Sequence, residues 1–148
     1  MPIPPLGPDG LLPPGVHDCA LEEIENRFAG FRGSDRRPQL WAKFKRFFQA
    51  AQASTLVEAL VLDGSFVTAG PNPNDIDLVV VVSANHDFGA GLPPGQYDVL
   101  AQKRVRRRFG FDIVVAKNGS GNLAQAVAFF AQVRQRPGIE KGLLRLKL

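Results

Sequence analysis

Gly64-Ser65, nine intervening residues, then Asp75-Ile76-Asp77 running straight into Leu78-Val79-Val80-Val81-Val82: this stretch decides the fold. The apolar run anchors a strand in a core, and the strand's period of two sends Asp75 and Asp77 to the same face at its start. Two neighbouring carboxylates repel one another, which raises a pKa unless cations neutralise them, so the pair asks for a divalent metal. A Gly-Ser turn beside such a metal points to phosphate chemistry. Val57 to Leu62 reads as a second buried strand, leading directly into Gly64-Ser65, and Ser65 to Thr68 as a short helical turn. Pro71-Asn72-Pro73-Asn74 then resets the chain for a strand over Asp75 to Ser83.

On the N-terminal side, residues 1–17 carry six prolines and three glycines, a composition that forbids a helix and predicts an extended arm pinned by Leu11, Leu12 and Val16. Residues 18–148 form the domain proper. Asp18 is expected to cap a first helix with Leu21, Ile24, Phe28 and Phe31 on one face, ending near Gly30 to Gly33, and Cys19 sits at its start. Asp35 and Pro38 introduce a second helix, in which Leu40, Trp41, Phe44, Phe47, Phe48 and Ala51 make a broad core stripe while Lys43, Lys45 and Arg46 stay wet.

On the C-terminal side, a loop over Ala84 to Gly95 leads to one helix through Tyr97, Leu100, Ala101 and Val105 with a strongly basic second half. Phe111 to Ala116 reads as a third strand, Leu123, Ala126, Val127 and Phe130 as a last helix, and Gly142 to Leu148 as a final edge strand. The order predicts a single-domain α/β (α+β) fold, a small mixed sheet flanked by helices. Neither G-x-G-x-x-G nor G-x-x-x-x-G-K-[ST] occurs, so the common nucleotide-binding loops are absent.

Bulk properties narrow the function. At 148 residues there is room for one domain and not for a separate substrate-reading one, so a large substrate must be held here or by a partner. No apolar run approaches the roughly 20 residues of a membrane span, and the proline-rich start is unlike a signal sequence, so a cytoplasmic protein is expected. One cysteine excludes an internal disulfide and disfavours thiolate zinc. A net charge of +4 favours polyanionic partners without choosing among nucleotide, RNA and acidic protein. His17 and His86 have no nucleophile partner at an informative spacing, and His17 is read as packing the arm.

Taken together, Gly64, Ser65, Asp75, Asp77 and Asp112 match the pattern of the DNA polymerase beta-like nucleotidyltransferase superfamily. LPPG-V-H near the start and GSFVT with PNDIDLVVV in the middle also resemble an uncharacterised family of small stand-alone members. The resemblance implies transfer of a nucleoside monophosphate from an NTP, ATP foremost, to a hydroxyl, with Asp75, Asp77 and Asp112 as ligands of two Mg²⁺ or Mn²⁺ ions and Asp112 also a proton acceptor. It implies Gly64 and Ser65 as phosphate contacts. The acceptor it implies is RNA, notably a tRNA end, or a partner protein, as in toxin–antitoxin or phage-defence pairs.

One departure stands out. No Lys or Arg lies between Ser65 and Asp75, where many relatives place a cation for the triphosphate. Lys103, Arg104, Arg106, Arg107 and Arg108, just before the strand bearing Asp112, are the candidates for that clamp or for RNA contacts, against the plainer reading of a solvated helix end. The missing cation also supports a second expectation, a catalytically silent module of the same fold that binds a nucleotide or a partner.

Overall fold

The aromatic stripe of the second predicted helix becomes the centre of the molecule. A computed structural model describes residues 3–30, 33–133 and 136–148. In chain order they form β1 (Gly15–Cys19), α1 (Leu21–Phe28), α2 (Arg36–Ser54), β2 (Val57–Asp63), a 3-10 turn (Ser65–Val67) and β3 (Asp77–Val82). There follow α3 (Pro94–Leu100), α4 (Gln102–Phe109), β4 (Asp112–Lys117), α5 (Gly121–Ala131) and β5 (Gly142–Lys147). The strands make one mixed sheet in the order β1-β5-β2-β3-β4, so the α/β class is as expected. Among the described residues no helix is long and apolar enough to cross a membrane.

Strand alternation sorts the core into two layers. Leu60, Leu62, Leu78, Val80, Ile113, Leu144 and Leu146 pack under α1 to α4 against Phe28, Trp41, Phe44, Phe47 and Phe66. Ala59, Val61, Val79, Val81, Ala116 and Leu143 point the other way, where Leu123, Ala126, Val127 and Phe130 of α5 cover them. The predicted stripe from Leu40 to Ala51 is buried throughout, with Trp41 stacked on Phe66 at 6.1 Å and 3°.

One residue on that stripe is not apolar. Arg37 is fully buried, and its guanidinium donates to the carbonyls of Phe28 (3.0 Å), Phe66 (2.7 Å), Thr68 (2.7 Å) and Gly70 (3.1 Å). It also lies over the Phe66 ring at 5.3 Å. Five fixed N–H donors suit a guanidinium to a loop that curls around it, and no other side chain offers that number. Arg36 extends the clamp to the Pro73 and Asn74 carbonyls. The segment from Phe66 to Asn74 is therefore moulded on the start of α2.

Several expectations need correction. Asp18 does not cap a helix: it lies in β1, where Arg145 of β5, its partner in register, donates to both carboxylate oxygens and holds its pKa below the usual range. Glu23 caps α1 instead, accepting from Ala20 N–H at 2.9 Å and, through its other oxygen, from Ile3 N–H at 3.1 Å. The arm thus ends at residue 14, and Cys19 closes a strand; burial, then Glu23 and Asp18, push its thiol up to about 12. Phe31 lies outside the described residues.

The helix expected through Tyr97 and Val105 is two helices, α3 and α4, broken at an extended Ala101. On one continuous helix Val99 and Val105 would stand about 120° apart. The break lets both enter the same core together with Phe109. Nor is β5 an edge strand: it pairs with β1 on one side and β2 on the other. The alternation of Leu with Arg145 and Lys147 imitates an edge because Arg145 is satisfied by Asp18 rather than by water.

Arg37→Met is expected to cost about 3 kcal/mol or more, because it strands several buried carbonyls at once. Arg37→Lys, a point charge in place of a fork, should recover little of it. Urea unfolding midpoints of the three proteins check this; equal midpoints would refute it.

Candidate functional site

Register assembles the site. β2 runs antiparallel to β3 with Asp63 opposite Asp77, and β3 runs parallel to β4 with Asp77 opposite Asp112. Residues in register share a face, so Asp63, Asp77 and Asp112 stand in a row across one end of the sheet, with backbones about 5 Å apart. Asp63 is buried, Asp77 half-buried and Asp112 exposed. The row grades from core to solvent.

Asp75 was expected within the strand, but β3 begins only at Asp77. Its placement comes instead from Gly64, whose φ of +97° is open to glycine and strained for other residues. A Cβ there would sit 2.9 Å from both the Asp75 carbonyl and its Oδ1, and 3.2 Å from Asp77 N. Gly64 is thus a cradle into which the Asp75-Ile76-Asp77 backbone nests. Phe66 N–H reaches the Asp75 carbonyl at 3.4 Å, and Ser65 Oγ accepts from Asn74 N–H at 2.8 Å and lies 3.5 Å from Asp75 Oδ1. The two halves of the motif are one folded unit.

Repulsion within the row is visible in its protonation. Burial, then Asp75, Asp63 and Asp112, push Asp77 up to about 6, against the pull of Lys141. Burial also raises Asp63, opposed first by Lys141. The Lys141 ammonium lies 2.8 Å from Asp63 Oδ1, an atom that no well-directed hydrogen bond reaches among the described residues. At the opposite end Arg106 Nη2 lies 2.6 Å from Asp112 Oδ1.

The basic run before β4 therefore divides. Arg106 faces the row, whereas Arg104 and Arg108, one helical turn apart, both hold Asp98 of α3, at 3.2 and 2.6 Å. Lys103 and Arg107 are exposed. His17 packs the arm, its Nε2 2.7 Å from the Pro13 carbonyl, and His86 meets the Phe88 ring edge-on.

Sequence reasoning missed Asp63 and Lys141. A signal existed for Asp63, a lone carboxylate closing an apolar strand immediately before Gly64. None existed for Lys141, which comes from the far end of the chain. It is set by Gly142 beside it, where a Cβ would fall 2.1 Å from the Pro13 carbonyl and 2.8 Å from Leu12 Cβ. The arm crosses there, and Gly142 N–H donates to Leu12 at 3.0 Å.

Chemically, the row offers hard carboxylate oxygens with a surplus of negative charge, which suits Mg²⁺ or Mn²⁺ far better than a thiophilic metal. Asp75, Asp77 and Asp112 could hold such ions, since Asp77 and Asp112 stand opposite one another in register and Asp75 lies beside them in the Gly64 cradle. Among the described residues no three His, Cys, Asp or Glu side chains are gathered closely enough to grip an ion as they stand. Asp112 is turned toward Arg106 instead.

Because Asp77 is raised in the fold, its protonated form stabilises the protein below about pH 4, and that contribution is lost as pH climbs through about 6. Asp77→Asn should therefore melt higher than wild type at pH 7 and equally near pH 3.5. Screening of a half-exposed group leaves about 1 kcal/mol, or ~3 °C. Millimolar Mg²⁺ should narrow the gap by stabilising wild type; melting curves across pH, with and without Mg²⁺, test both. Gly64→Ala should unfold more readily than wild type, by about 2 kcal/mol, through strain at positive φ and the clash with Asp75.

No curated protein and no solved structure matches the chain. A family of unknown function, DUF6932, matches residues 4–147, and on that nearly complete match the chain belongs to the DUF6932 family.

Proposed function

We propose that this protein is a metal-dependent nucleotidyltransferase, moving a nucleoside monophosphate from an NTP, ATP foremost, to a hydroxyl of RNA such as a tRNA end, or of a partner protein. The observation that carries the reading is the register of Asp77 with Asp112, beside an Asp75 held in the Gly64 cradle. An Asp-x-Asp pair and an aspartate from a later strand lie at one sheet end, next to a Gly-Ser turn. Such a setting suits the cytoplasm, where NTPs are plentiful, and a partner-protein acceptor would make the chain one half of a toxin–antitoxin or phage-defence pair.

Asp75, Asp77 and Asp112 would hold Mg²⁺ or Mn²⁺, which when bound as a pair supplies charge stabilisation for the attacking and leaving oxygens. Ser65 offers its hydroxyl and amide to phosphate oxygens, and Gly64 lets the backbone come close to them. Asp112, at the exposed end of the row, orients the acceptor hydroxyl and takes its proton on a carboxylate oxygen. Pyrophosphate departs as the new phosphoester forms.

Incubation with radiolabelled NTPs, Mg²⁺ or Mn²⁺, total RNA and candidate protein acceptors tests the reading. Label should enter one acceptor class, and Asp77→Asn and Asp112→Asn should each lower the rate by roughly 100-fold or more. Wild type that transfers no label to any acceptor overturns it. If calorimetry then still shows Mg²⁺-ATP binding, the protein is a silent nucleotide-binding module.

A further inference from the structure

The carboxylate row is closed at each end by a cation, and the two ends are built differently. At the β2 end, Asp63 is buried and Lys141 partly so, their side chains 5% and 16% exposed. That ammonium is locked in place by the arm crossing at Gly142 and neutralises a carboxylate that faces no solvent. At the β4 end, Arg106 and Asp112 are 71% and 63% exposed, so the pair is held by an interaction that water and salt weaken. One pair is largely shut off from solvent; the other is open to it.

The helix beneath Arg106 is nevertheless firm. Val105 and Phe109 anchor α4 in the core, and Asp98 grips Arg104 and Arg108 on another side. A long flexible side chain thus starts from a fixed point beside the row, with its forked head on the carboxylate proposed as a metal ligand. A divalent ion held at the row would compete with Arg106 for Asp112. Once displaced, its forked head is free beside the row, and a forked donor matches phosphate oxygens.

We propose that Arg106 is an exchangeable counter-ion of the site: it screens Asp112 while no divalent ion is bound, yields that carboxylate to the ion, and then binds the phosphates of the incoming nucleotide. This rests on the metal-and-nucleotide reading above, and it assigns to Arg106 the phosphate contact that the stretch between Ser65 and Asp75 lacks. It makes Arg106 a phosphate-binding and positioning residue. A residue that only stabilised the fold would move both affinities the same way; Arg106 should move them in opposite directions.

Mn²⁺ binding followed by electron paramagnetic resonance, and binding of a non-hydrolysable ATP analogue in saturating Mg²⁺ followed by calorimetry, test the proposal on Arg106→Gln. Arg107→Gln serves as a control that removes the same charge from an exposed site on α4. Arg106→Gln should bind Mn²⁺ about two- to fivefold more tightly than wild type and the analogue about fivefold more weakly. Arg107→Gln should change both by less than about twofold. Arg106→Lys should restore the wild-type Mn²⁺ affinity more fully than the analogue affinity, because it keeps the charge and loses the fork. Mn²⁺ affinities equal in Arg106→Gln and Arg107→Gln overturn the proposal while leaving the metal site intact. Wild type that binds no Mn²⁺ overturns the metal reading and this inference together.

Discussion

A single buried guanidinium shapes the carboxylate-bearing edge of this fold. Arg37 enters the core from the first turn of α2 and gathers the carbonyls of Phe28, Phe66, Thr68 and Gly70 around itself. Those carbonyls belong to the end of α1 and to a loop with no regular ladder of its own, and buried carbonyls without donors are costly. Satisfying them from inside lets the chain leave β2, turn at Gly64-Ser65 and return as β3 with an irregular loop between. Stacked aromatic rings on two sides, Phe66 and Phe28, shield the charge. The Gly64 cradle, and with it the position of Asp75, depends on this arrangement more than on any strand pairing.

The electrostatics of the site follow from where each carboxylate falls along the sheet end. Asp63 is deep enough that burial governs it and an ammonium must accompany it. Asp77, halfway out, suffers burial and three like charges together. Asp112 is out in water, where its pairing with Arg106 is weakened by solvent. A gradient from permanent to replaceable neutralisation across three neighbouring strands concentrates the uncompensated charge at Asp75 and Asp77.

Much of this was legible in the sequence, for reasons that can be named. Gly64, Ser65, Asp75, Asp77 and Asp112 are a local pattern on strongly apolar strands, and the stripe from Leu40 to Ala51 is periodic, so both could be read directly. Arg37 was overlooked although it sits three, four and seven residues before Leu40, Trp41 and Phe44, on the buried face of the same helix. An arginine there looks like a boundary residue unless its carbonyl partners are known, and they come from two other segments. Asp18 was misread because an acid before a helix suggests a cap, whereas its partner Arg145 lies at the other end of the chain. Lys141 was invisible for the same reason. Patterns within a segment could be found; pairings that exist only through the parallel union of the first and last strands could not.

That union has a consequence for how the protein comes into being. β5 enters the sheet between β1 and β2, so β1 has no neighbour until the last strand arrives. Pairing Gly15 with Gly142 closes a loop of almost the entire chain, and such closures come late because their entropy must be met before contacts repay it. On the ribosome, β2, β3 and β4 can assemble with α2 to α4 as they emerge, while Asp63 meets its ammonium only once Lys141 has followed. The carboxylate row thus forms before its permanent counter-ion, and the nascent domain carries an unneutralised buried acid that the final strand, on docking, relieves.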